Sequence, residues 1–536
     1  MLYFIPAWYH GNDWKEFEQV WYLPKEHSEF DETVKQVQLF NRRQIMPFNI
    51  LLLSFAPNFR HFLHRQSVFH APYWSCFDAM CGITSRSVAV FSMNDILWPE
   101  DVEFIHSPFC VLVRRKGALF AQVEFGEDGN MIRVDQYRDG RISRRSLFDD
   151  RGFISCCIFY EDGLPKTEEY YNEQKVWKLR RNLTDGHVEV NPKDCFYVMK
   201  QGREERRVRY KKMSYRSLEE VISEVLGSFL LETEPSDIFC AASDRLHNAL
   251  LYSLLGKRKL ILTFFAGRLM PETLKEAEQS AAEALLSSAA YIVADSPDSV
   301  RRIQEAAGKK YDHITDITPY DTRVDFGIST QLSVQEILVP ADRIRDELFG
   351  ELVPVLAEYM QKNKDARVHL FTRLADYNRR ERLLEAVRRI LQDAGYDPDI
   401  AREVREGMQD NGLQKEEPDA PVLFFVDQCV DEMAVSRCLK EVRIIVDPSE
   451  EPDLFLQISA VSMGIPQIGR TENQYLVHGE NGMIVRRPSE LPEVLAYYLE
   501  NLSSWNSAMI ASYEIGKKYT TDQLVTKWRG VLEAIG

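Results

Sequence analysis

The chain has 536 residues, and its 82 acidic side chains outnumber its 66 basic ones, giving a formal net charge of −16 at pH 7. Hydrophobic residues make up 45% and charged residues 28% of the chain, an ordinary globular composition that excludes a fibrous or wholly disordered protein. The acidic balance argues against a dedicated nucleic-acid binder, because nucleic-acid phosphates attract a basic surface. This length predicts about three domains.

The cysteines and the apolar stretches indicate a cytosolic protein. The nine cysteines are an odd number and cannot all pair within the chain, and none has the C-x-x-C spacing of a zinc ligand set. We therefore expect free thiols in a reducing compartment, with neither a metal nor a cofactor. The N-terminus lacks the basic region and cleavage site of a secretory signal. The longest uncharged stretches, near Phe48–Asn58 and Leu454–Gly469, are too short and too interrupted to span a bilayer.

The chain begins with the pattern of a parallel α/β sheet. The apolar run Leu2–Ala7 is followed by a helix-like stretch after Asp13, and Asn49–Ala56 is typical of a strand buried on both faces. After an intervening segment, the alternation of helical and strand patterns returns at Ser217. The elements predicted there are Leu218–Leu231, Asp237–Ala241, Lys259–Phe264, Glu272–Leu286, Tyr291–Val293 and Pro297–Ala307.

The intervening segment, Ser87–Lys212, predicts an antiparallel meander. Asp-Gly supplies the positive φ that two-residue hairpins need, and successive turns lie about one strand length apart. The turn sequences are Asp128-Gly129, Asp139-Gly140, Arg151-Gly152, Asp162-Gly163 and Asp185-Gly186, with one degenerate turn near Glu173. The strands carry many arginines, which favours either a charged face for a protein partner or a solvated structural sheet. The arginines singled out are Arg133, Arg138, Arg141, Arg144 and Arg145. We expect the stretch Asp128–Val190 to be removable without unfolding the α/β domains.

A second α/β set follows the Pro- and Asp-containing stretch Asp316–Val324. Its predicted strands are Val368–Phe371, Val422–Val426, Val442–Val446 and Pro466–Ile468. The acidic stretch Gln409–Pro421 predicts a surface loop, and two helices, from Leu502 and from Thr521, end the chain. We therefore predict a first α/β domain in two parts, residues 1–86 and 213–325, an inserted sheet at 87–212, and a second α/β domain at 326–536.

An ordered series of short segments resembles the retaining glycosyltransferases of family 4. The segments are His70-Ala71-Pro72-Tyr73-Trp74, Ala294 to Val300, Thr318 to Asp321, Thr372 to Leu374, Leu383 to Ala386, Glu451 to Ile468, and His478 to Val485. The resemblance covers most of the chain outside the meander. It implies the GT-B fold, in which two Rossmann-like domains face each other across a cleft.

The positions that grip the nucleotide sugar in that family are altered in the second domain. The resemblance aligns Arg373 with the pyrophosphate-binding Arg, but the Lys position falls on Asn378. A Lys-to-Asn change removes a charge from a diphosphate site, where charge-assisted bonds are the strong ones. Glu451 matches the first of the two family glutamates, whereas the second, which holds the ribose hydroxyls, falls on Ser459. The donor site is therefore degenerate, and we assign no catalytic residue.

The first domain departs from the family in the same way. In the family's H-x-H-Y-W segment the first histidine is His70 and the second has become Pro72. Aromatic and polar side chains replace the Gly-rich loop after the first strand, where α/β sheets bind ligands beyond the carboxyl ends of their strands. We expect Trp8, Tyr9, His10 and Trp14 to face the cleft and, with Arg373 and Glu451, to bind a glycan. The alternative is hydrophobic packing at a domain junction.

Three features together are similar to the first of the accessory Sec-system Asp proteins of streptococci and staphylococci. They are the opening Tyr3-Phe4-Ile5-Pro6-Ala7-Trp8-Tyr9, the Asp-Gly meander inside a degenerate GT-B frame, and Ile317-Thr318-Pro319-Tyr320-Asp321. The resemblance implies a cytosolic factor, partly at the inner face of the membrane, for export of a glycosylated serine-rich-repeat adhesin. Its implied partners are the second and third Asp proteins, the accessory SecA motor, that adhesin and its GlcNAc-type carbohydrate, with no nucleic acid.

Two functions from different classes remain open at this point. The first is a non-catalytic GT-B-like protein that binds glycan and partner proteins during export. The second is an active retaining glycosyltransferase that adds GlcNAc or glucose to Ser/Thr-rich polypeptide. Asn378, Ser459 and Pro72 favour the first function, because each replaces a residue that reads the donor.

Overall fold

A computed structural model describes most of the chain. The described residues are 1–11, 13–16, 20, 30–201, 204–265, 276–323, 325–374, 376, 378–403 and 422–536. The predicted acidic loop, most of the helix-like stretch after Asp13, the first residues of the helix predicted from Glu272, and Val324 lie outside them.

The strands in chain order are β1 (Leu2–Ile5), β2 (Phe48–Leu52), β3 (Tyr73–Ser75), β4 (Val102–His106), β5 (Val111–Arg115), β6 (Ala118–Phe125), β7 (Met131–Arg138), β8 (Arg141–Asp149), β9 (Phe153–Glu161), β10 (Leu164–Tyr171), β11 (Trp177–Asn182), β12 (Val188–Val190), β13 (Phe196–Gln201), β14 (Glu204–Arg209), β15 (Ser214–Tyr215), β16 (Ile238–Ala242), β17 (Lys259–Phe264), β18 (Tyr291–Ala294), β19 (Ile314–Asp316), β20 (Gln335–Pro340), β21 (Ala366–Thr372), β22 (Ala401–Glu403), β23 (Phe424–Gln428), β24 (Val442–Asp447), β25 (Gln467–Gly469) and β26 (Gly482–Ile484).

The α-helices are α1 (Glu32–Arg43), α2 (Phe59–Arg65), α3 (Cys76–Cys81), α4 (Leu218–Leu230), α5 (Asn248–Leu255), α6 (Glu276–Ser288), α7 (Pro297–Ala306), α8 (Asp346–Lys362), α9 (Arg379–Asp393), α10 (Glu432–Leu439), α11 (Leu454–Met463), α12 (Leu491–Leu499), α13 (Leu502–Gly516) and α14 (Thr521–Ile535). Within the described ranges, none of these helices is both long and apolar enough to cross a membrane.

Two parallel sheets form the frame of the molecule. The first has the order β3-β2-β1-β16-β17-β18-β19 and the second β22-β23-β21-β20-β24-β25-β26. Strand order reverses between β1 and β16 in the first sheet and between β20 and β24 in the second, so each sheet has a switch-point crevice at its carboxyl edge. The predicted parallel strands are confirmed, whereas β20, which lies at the centre of the second sheet, was not predicted.

The inserted segment forms a ten-stranded antiparallel sheet in the order β15-β12-β11-β10-β9-β8-β7-β6-β5-β4. The Asp-Gly hairpins are confirmed, with φ of 50° and 74° at Asp139 and Gly140 and 50° and 81° at Asp162 and Gly163. One part of the predicted meander is wrong, because β13 and β14 pair only with each other and β15 closes the large sheet instead.

The inserted sheet is joined to the first parallel sheet by buried charge. Arg151 donates to both carboxylate oxygens of Asp78 at 2.8 and 2.9 Å and to those of Asp149 at 2.6 and 2.7 Å. Tyr170, Leu179 and Val188 of the inserted sheet belong to the same apolar cluster as the first parallel sheet. This shared core argues against the expectation that Asp128–Val190 can be removed, because the deletion would expose apolar residues of the first parallel sheet.

The last helix returns to the first parallel sheet. Trp528 of α14 packs against Phe40 of α1 with ring centroids 5.5 Å apart, and Lys527 donates to Asp316 at 2.9 Å. At the cleft, Phe455 of α11 contacts Phe30 and Tyr320 from the first half, at 4.9 and 5.1 Å between centroids. The two halves thus contact each other through an aromatic cluster.

Candidate functional site

Four polar side chains meet at the switch-point crevice of the second sheet because the elements that carry them end there. Asp342 follows β20, Arg373 follows β21, Asp447 ends β24, and Asp453 caps the N-terminus of α11 by accepting from the backbone N–H of Leu456 at 3.2 Å. In an open α/β sheet this edge is where ligands bind.

The guanidinium of Arg373 is already engaged by protein groups. Its guanidinium forms an ion pair with Asp453 and lies over the ring of Phe30 at 3.6 Å from the centroid. It also lies 5.5 Å from the ring centroid of Phe455. The charge that could grip a diphosphate is therefore neutralised by a carboxylate and covered by an aromatic ring.

The Asp342 carboxylate pairs with Arg379, the next arginine along the chain after Arg373. This carboxylate accepts from the Thr372 hydroxyl at 2.5 Å, from the Arg373 backbone N–H at 2.6 Å and from Arg379 Nη2 at 3.2 Å. Arg379 is the residue that could have replaced the charge missing at Asn378. Its pairing with Asp342 leaves it neutralised within the crevice.

Asp447 places a third carboxylate at the floor of the same crevice. It accepts from the backbone N–H groups of Ser449 and Asp453 at 3.1 and 3.3 Å, and burial raises the pKa of its carboxyl. Asp342 and Asp453 are therefore each paired with an arginine, Asp447 is buried beneath them, and Arg343 adds a further cation to the wall of the crevice. This arrangement is suited to neutral hydroxyl groups rather than to phosphates.

The other donor-site positions of the second domain do not form a binding cradle. Asn378 is exposed just before α9, where its backbone N–H donates to Asp376 at 3.1 Å. Ser459 is half-buried on α11. Glu451 is 72% exposed, with Oε1 at 3.7 Å from Arg302 of α7 across the cleft.

The structure places His70 and Pro72 away from the crevice. Strand β3 begins at Tyr73, and the Pro72 carbonyl accepts from the Ile50 backbone N–H at 2.9 Å. Both residues therefore precede a parallel strand and lie at the amino edge of the sheet, opposite the crevice. His70 is exposed and its ring lies 5.3 Å from that of Phe69.

The expectation that Trp8 and Trp14 face the cleft is also wrong. Trp8 is 6% and Trp14 is 4% exposed. The Trp8 indole packs 4.7 Å from the ring of Phe62 and donates to Asp31 at 3.0 Å. Large aromatic surfaces gain more from burial against other apolar groups than from a solvated cleft.

Their neighbours in the same loop are more accessible. Tyr9 is half-buried and its hydroxyl lies 2.7 Å from Nδ1 of His247. His10 is exposed. The loop after β1 is thus mainly a packed junction, which was the alternative interpretation of its aromatic residues.

A cavity of about 230 Å³ remains at the crevice of the second sheet. Its walls combine two aromatic rings, an exposed leucine and the crevice carboxylates. The lining residues are Phe30, Pro340, Asp342, Arg343, Phe371, Arg373, Leu374, Val430, Asp447 and Asp453. Aromatic faces and hydrogen-bonding carboxylates are the chemistry that a sugar ring uses.

Comparison with known proteins agrees with this frame. Residues 1–534 match the family described as Accessory Sec system protein Asp-1. The chain belongs to this family. It is 29% identical over 538 residues to the Accessory Sec system protein Asp-1 of Streptococcus gordonii, with 98% of each chain covered.

Solved structures give the same result for the fold. The crystal structure of accessory secretory proteins 1, 2 and 3 from Streptococcus pneumoniae contains a chain with a TM-score of 0.79 at 28% identity, covering 100% of this chain and 99% of that one. The pneumococcal O-GlcNAc transferase GtfA, solved with UDP and GlcNAc, has a TM-score of 0.71 at 11% identity, covering 100% and 99%. This member of the accessory Sec family therefore has the GT-B-like fold, two Rossmann-like domains facing across a cleft with a β-meander inserted in the first.

The residues that sequence reasoning missed are those that close the crevice of this family member. Asp342 and Asp453 lie next to the donor-site positions that were identified; Asp342 belongs to none of the aligned segments, and Asp453 lies within the segment Glu451 to Ile468 but was not singled out. The available signals were local: Asp453 is the N-cap of α11, and Asp342 follows the last residues of β20. Phe30 had no signal, because its contact with Arg373 joins positions remote in the chain.

Three of the five arginines singled out in the inserted sheet are paired within that sheet. Arg145 donates from Nε and Nη2 to Asp135 at 2.7 Å each, and Arg133 lies 3.6 Å from Glu124. The exposed Arg141 lies 3.3 Å from Asp162. These cross-strand pairs support the structural interpretation of the charge on this sheet.

Proposed function

We propose that this chain is a non-catalytic GT-B-like component of the accessory Sec export system. The observation that carries the proposal is that the arginines of the crevice are already occupied: Arg373 is paired with Asp453 and stacked on Phe30, and Arg379 is paired with Asp342. A nucleotide sugar would bring two phosphate charges into that crevice. Like charges at close range in a partly desolvated site repel.

The residues missing from the donor site add to this barrier. Asn378 and Ser459 replace a lysine and a glutamate of the glycosyltransferases that the chain resembles. Each lost charged contact costs roughly 2–4 kcal/mol of transition-state stabilisation, so the two together lower a rate by about 10³- to 10⁶-fold. The alternative, an active retaining glycosyltransferase for GlcNAc or glucose, would require another set of donor contacts.

The test is release of UDP from UDP-GlcNAc and UDP-glucose in the presence of a serine-rich acceptor polypeptide. We expect none above the rate of spontaneous hydrolysis. Turnover at about 1 s⁻¹ or faster, the ordinary range for enzymes, would overturn the proposal.

A variant can test the acidic crevice itself. Asp342→Ala with Asp453→Ala removes the carboxylates that hold Arg373 and Arg379, so UDP should bind more tightly than it binds to the unmodified chain. The matched control is Glu347→Ala with Glu493→Ala, two exposed acids on helices of the same half. Equal UDP binding by the two variants would show that the crevice carboxylates do not exclude the nucleotide.

Within the export system, we propose that this chain assembles with the second and third accessory Sec Asp proteins. The support is its 28% identity to a chain of the solved complex of accessory secretory proteins 1, 2 and 3. We further propose that the assembly acts in the cytosol, at the inner face of the membrane, between the accessory SecA motor and the glycosylated adhesin. Co-purification of the tagged chain with each component is the test, and failure to retain the second and third proteins would contradict it.

We propose that the crevice cavity, rather than the loop after β1, contacts the adhesin's GlcNAc-type glycan. A single solvated sugar should bind only in about the micromolar-to-millimolar range, but many identical sugars on one polypeptide raise the effective concentration. Leu374→Trp would fill the cavity from its exposed wall, and Ile510→Trp is a control at a distant exposed position. Glycosylated repeats should lose binding to the first variant only. Equal binding by both would place recognition elsewhere.

A further inference from the structure

A second cluster of reactive side chains lies outside the crevice, under α10 on one face of the second sheet. Glu336 comes from β20, His369 from β21, Asp427 from β23 and Cys438 from α10, and Cys429 follows β23. These residues are far apart in the sequence, so no spacing motif connects them. The sheet register brings the strands together, with Leu338 beside His369 and Phe371 beside Asp427.

The donor atoms of three of these side chains converge. Ligand atoms of Glu336, His369 and Cys438 all lie within 4.8 Å of one another. The Cys438 sulfur is 3.5 Å from His369 Nδ1, and Glu336 Oε1 is 2.6 Å from the same nitrogen. Zinc binds sulfur at about 2.3 Å and nitrogen at about 2.0 Å, so two such ligands of one tetrahedral ion stand about 3.5 Å apart. The Cys438–His369 separation already matches this distance, and the carboxylate would have to retreat by less than about 1 Å.

The surrounding side chains complete the pattern of a metal centre. Cys429 lies beside the cluster, with its sulfur 3.7 Å from Oδ2 of Asp427. On the other side of the imidazole, His369 Nε2 is buried and makes no hydrogen bond to the described part of the chain. The nearest carboxylate oxygen, of Asp427, stands 3.6 Å away. A metal-bound histidine commonly directs its second nitrogen at a carboxylate, which orients the ring.

We propose that Glu336, His369 and Cys438 form a zinc site, with Asp427 orienting the imidazole. His369 is only 9% exposed, whereas the Glu336 side chain is 21% exposed and gives an ion a route from solvent. A thiolate, imidazole and carboxylate set suits zinc better than magnesium or calcium, which take oxygen ligands.

Bound zinc would brace the strands that carry the crevice. His369 lies on β21, four residues before Arg373. Glu336 lies on β20, the strand that leads to Asp342. Cys438 lies on α10, whose Glu432 pairs with Lys35 of the first half. A metal ion that links β20, β21 and α10 would therefore restrict the movement of the strands that form the floor of the crevice.

The test is zinc binding by the full-length chain after chelation and reloading, measured by metal analysis and by competition with a chromophoric chelator. We expect one zinc per chain, and cobalt(II) in its place should give the visible absorption bands of a tetrahedral thiolate site. Cys438→Ala should weaken zinc binding by at least about 100-fold, and Glu336→Gln by about 10–100-fold. Cys110→Ala, at a partly exposed cysteine of the inserted sheet, is the matched control and should bind as the unmodified chain does.

Stability gives an independent readout. Zinc should raise the Tm of the unmodified chain and of Cys110→Ala but not that of Cys438→Ala, because a ligand stabilises only the state that binds it. If Cys438→Ala fails to fold, the Glu336→Gln variant, which keeps the size of the side chain, decides the question. Zinc well below one per chain after reloading, or equal affinity in Glu336→Gln and Cys110→Ala, would overturn the proposal.

Discussion

In the first parallel sheet, Trp8 and Trp14 fill the space beyond β1 with buried aromatic surface, whereas in the second sheet Asp342, Arg373 and Asp453 fill the equivalent space with a polar network. Both crevices lie at a switch point, where α/β proteins usually hold a ligand. The comparison teaches that the same crevice can be occupied in two ways, by aromatic packing in the first sheet and by an ion-paired network around a remaining cavity in the second. Aromatic packing adds stability and closes the space for good, while an ion-paired network can be opened by changing one charge.

The largest loss of stability should come from a substitution in the aromatic packing of the first sheet. Trp8→Ala removes a buried indole that packs on Phe62 and donates to Asp31, the N-cap of α1. We expect the free energy of unfolding to fall by about 3–5 kcal/mol, measured by chemical denaturation. Trp8→Phe keeps most of the packing and should cost about 1 kcal/mol for the hydrogen bond. A loss below about 1 kcal/mol for Trp8→Ala would mean that the loop after β1 is not part of the core.

A substitution in the polar network of the second sheet should give a smaller loss of stability, and the size of the loss should depend on whether the paired residue is present. Arg373→Ala leaves the partly buried Asp453 carboxylate without its cation and uncovers Phe30, which should cost about 1–3 kcal/mol. In a double-mutant cycle with Asp453→Asn, the coupling energy should be about 0.5–3 kcal/mol, because the two side chains form one ion pair. Additive effects would show that the aromatic contacts, rather than the ion pair, hold Arg373.

Local patterns were sufficient for much of the fold. The Asp-Gly spacing gave the hairpins of the inserted sheet because positive φ at Asp139 and Asp162 is a requirement of the turn itself. Strand β17 lies at the predicted residues, Lys259–Phe264, because a strand buried on both faces must be continuously apolar. Strand β20 was missed because its sequence, from Gln335 to Pro340, mixes a charged residue with only three buried ones.

The site was harder to predict than the fold, because its contacts cross the two halves of the chain. The sequence singled out Arg373, which lies in the crevice, but its partners Phe30 and Asp453 are distant from it in the sequence and were not singled out. Trp8 looked like a ligand-binding residue because exposure cannot be read from residue type. The proposed zinc ligands were not predicted from the sequence for a related reason, because the pairing of β20 with β21 rather than any sequence spacing brings Glu336 close to His369.

The buried carboxyl of the second crevice should make the free energy of unfolding depend on pH. Burial raises the pKa of Asp447 above its ordinary value of 3.8, so the folded chain holds that proton more tightly than the unfolded chain. Between these two pKa values, folding takes up a proton at Asp447. The contribution of Asp447 to the free energy of unfolding therefore declines as pH rises above about 4. Asp447→Asn should flatten this decline while keeping an acceptor for Ser449. Asp346→Asn, at an exposed acid of α8, should leave it unchanged, and an equal slope in all three proteins would contradict the assignment.

The smallest effect should come from the mouth of the second crevice, where Glu451 reaches Arg302 of the first half. The closest oxygen–nitrogen distance is 3.7 Å, and the Glu451 side chain is 72% exposed. Water screens such a pair, and ordering two long side chains offsets the attraction. We therefore expect Glu451→Gln to change the free energy of unfolding by less than about 0.5 kcal/mol. A loss above about 1 kcal/mol would mean that the halves are held together at the mouth as well as by Phe30, Tyr320 and Phe455, and that the crevice is closed by more than its internal network.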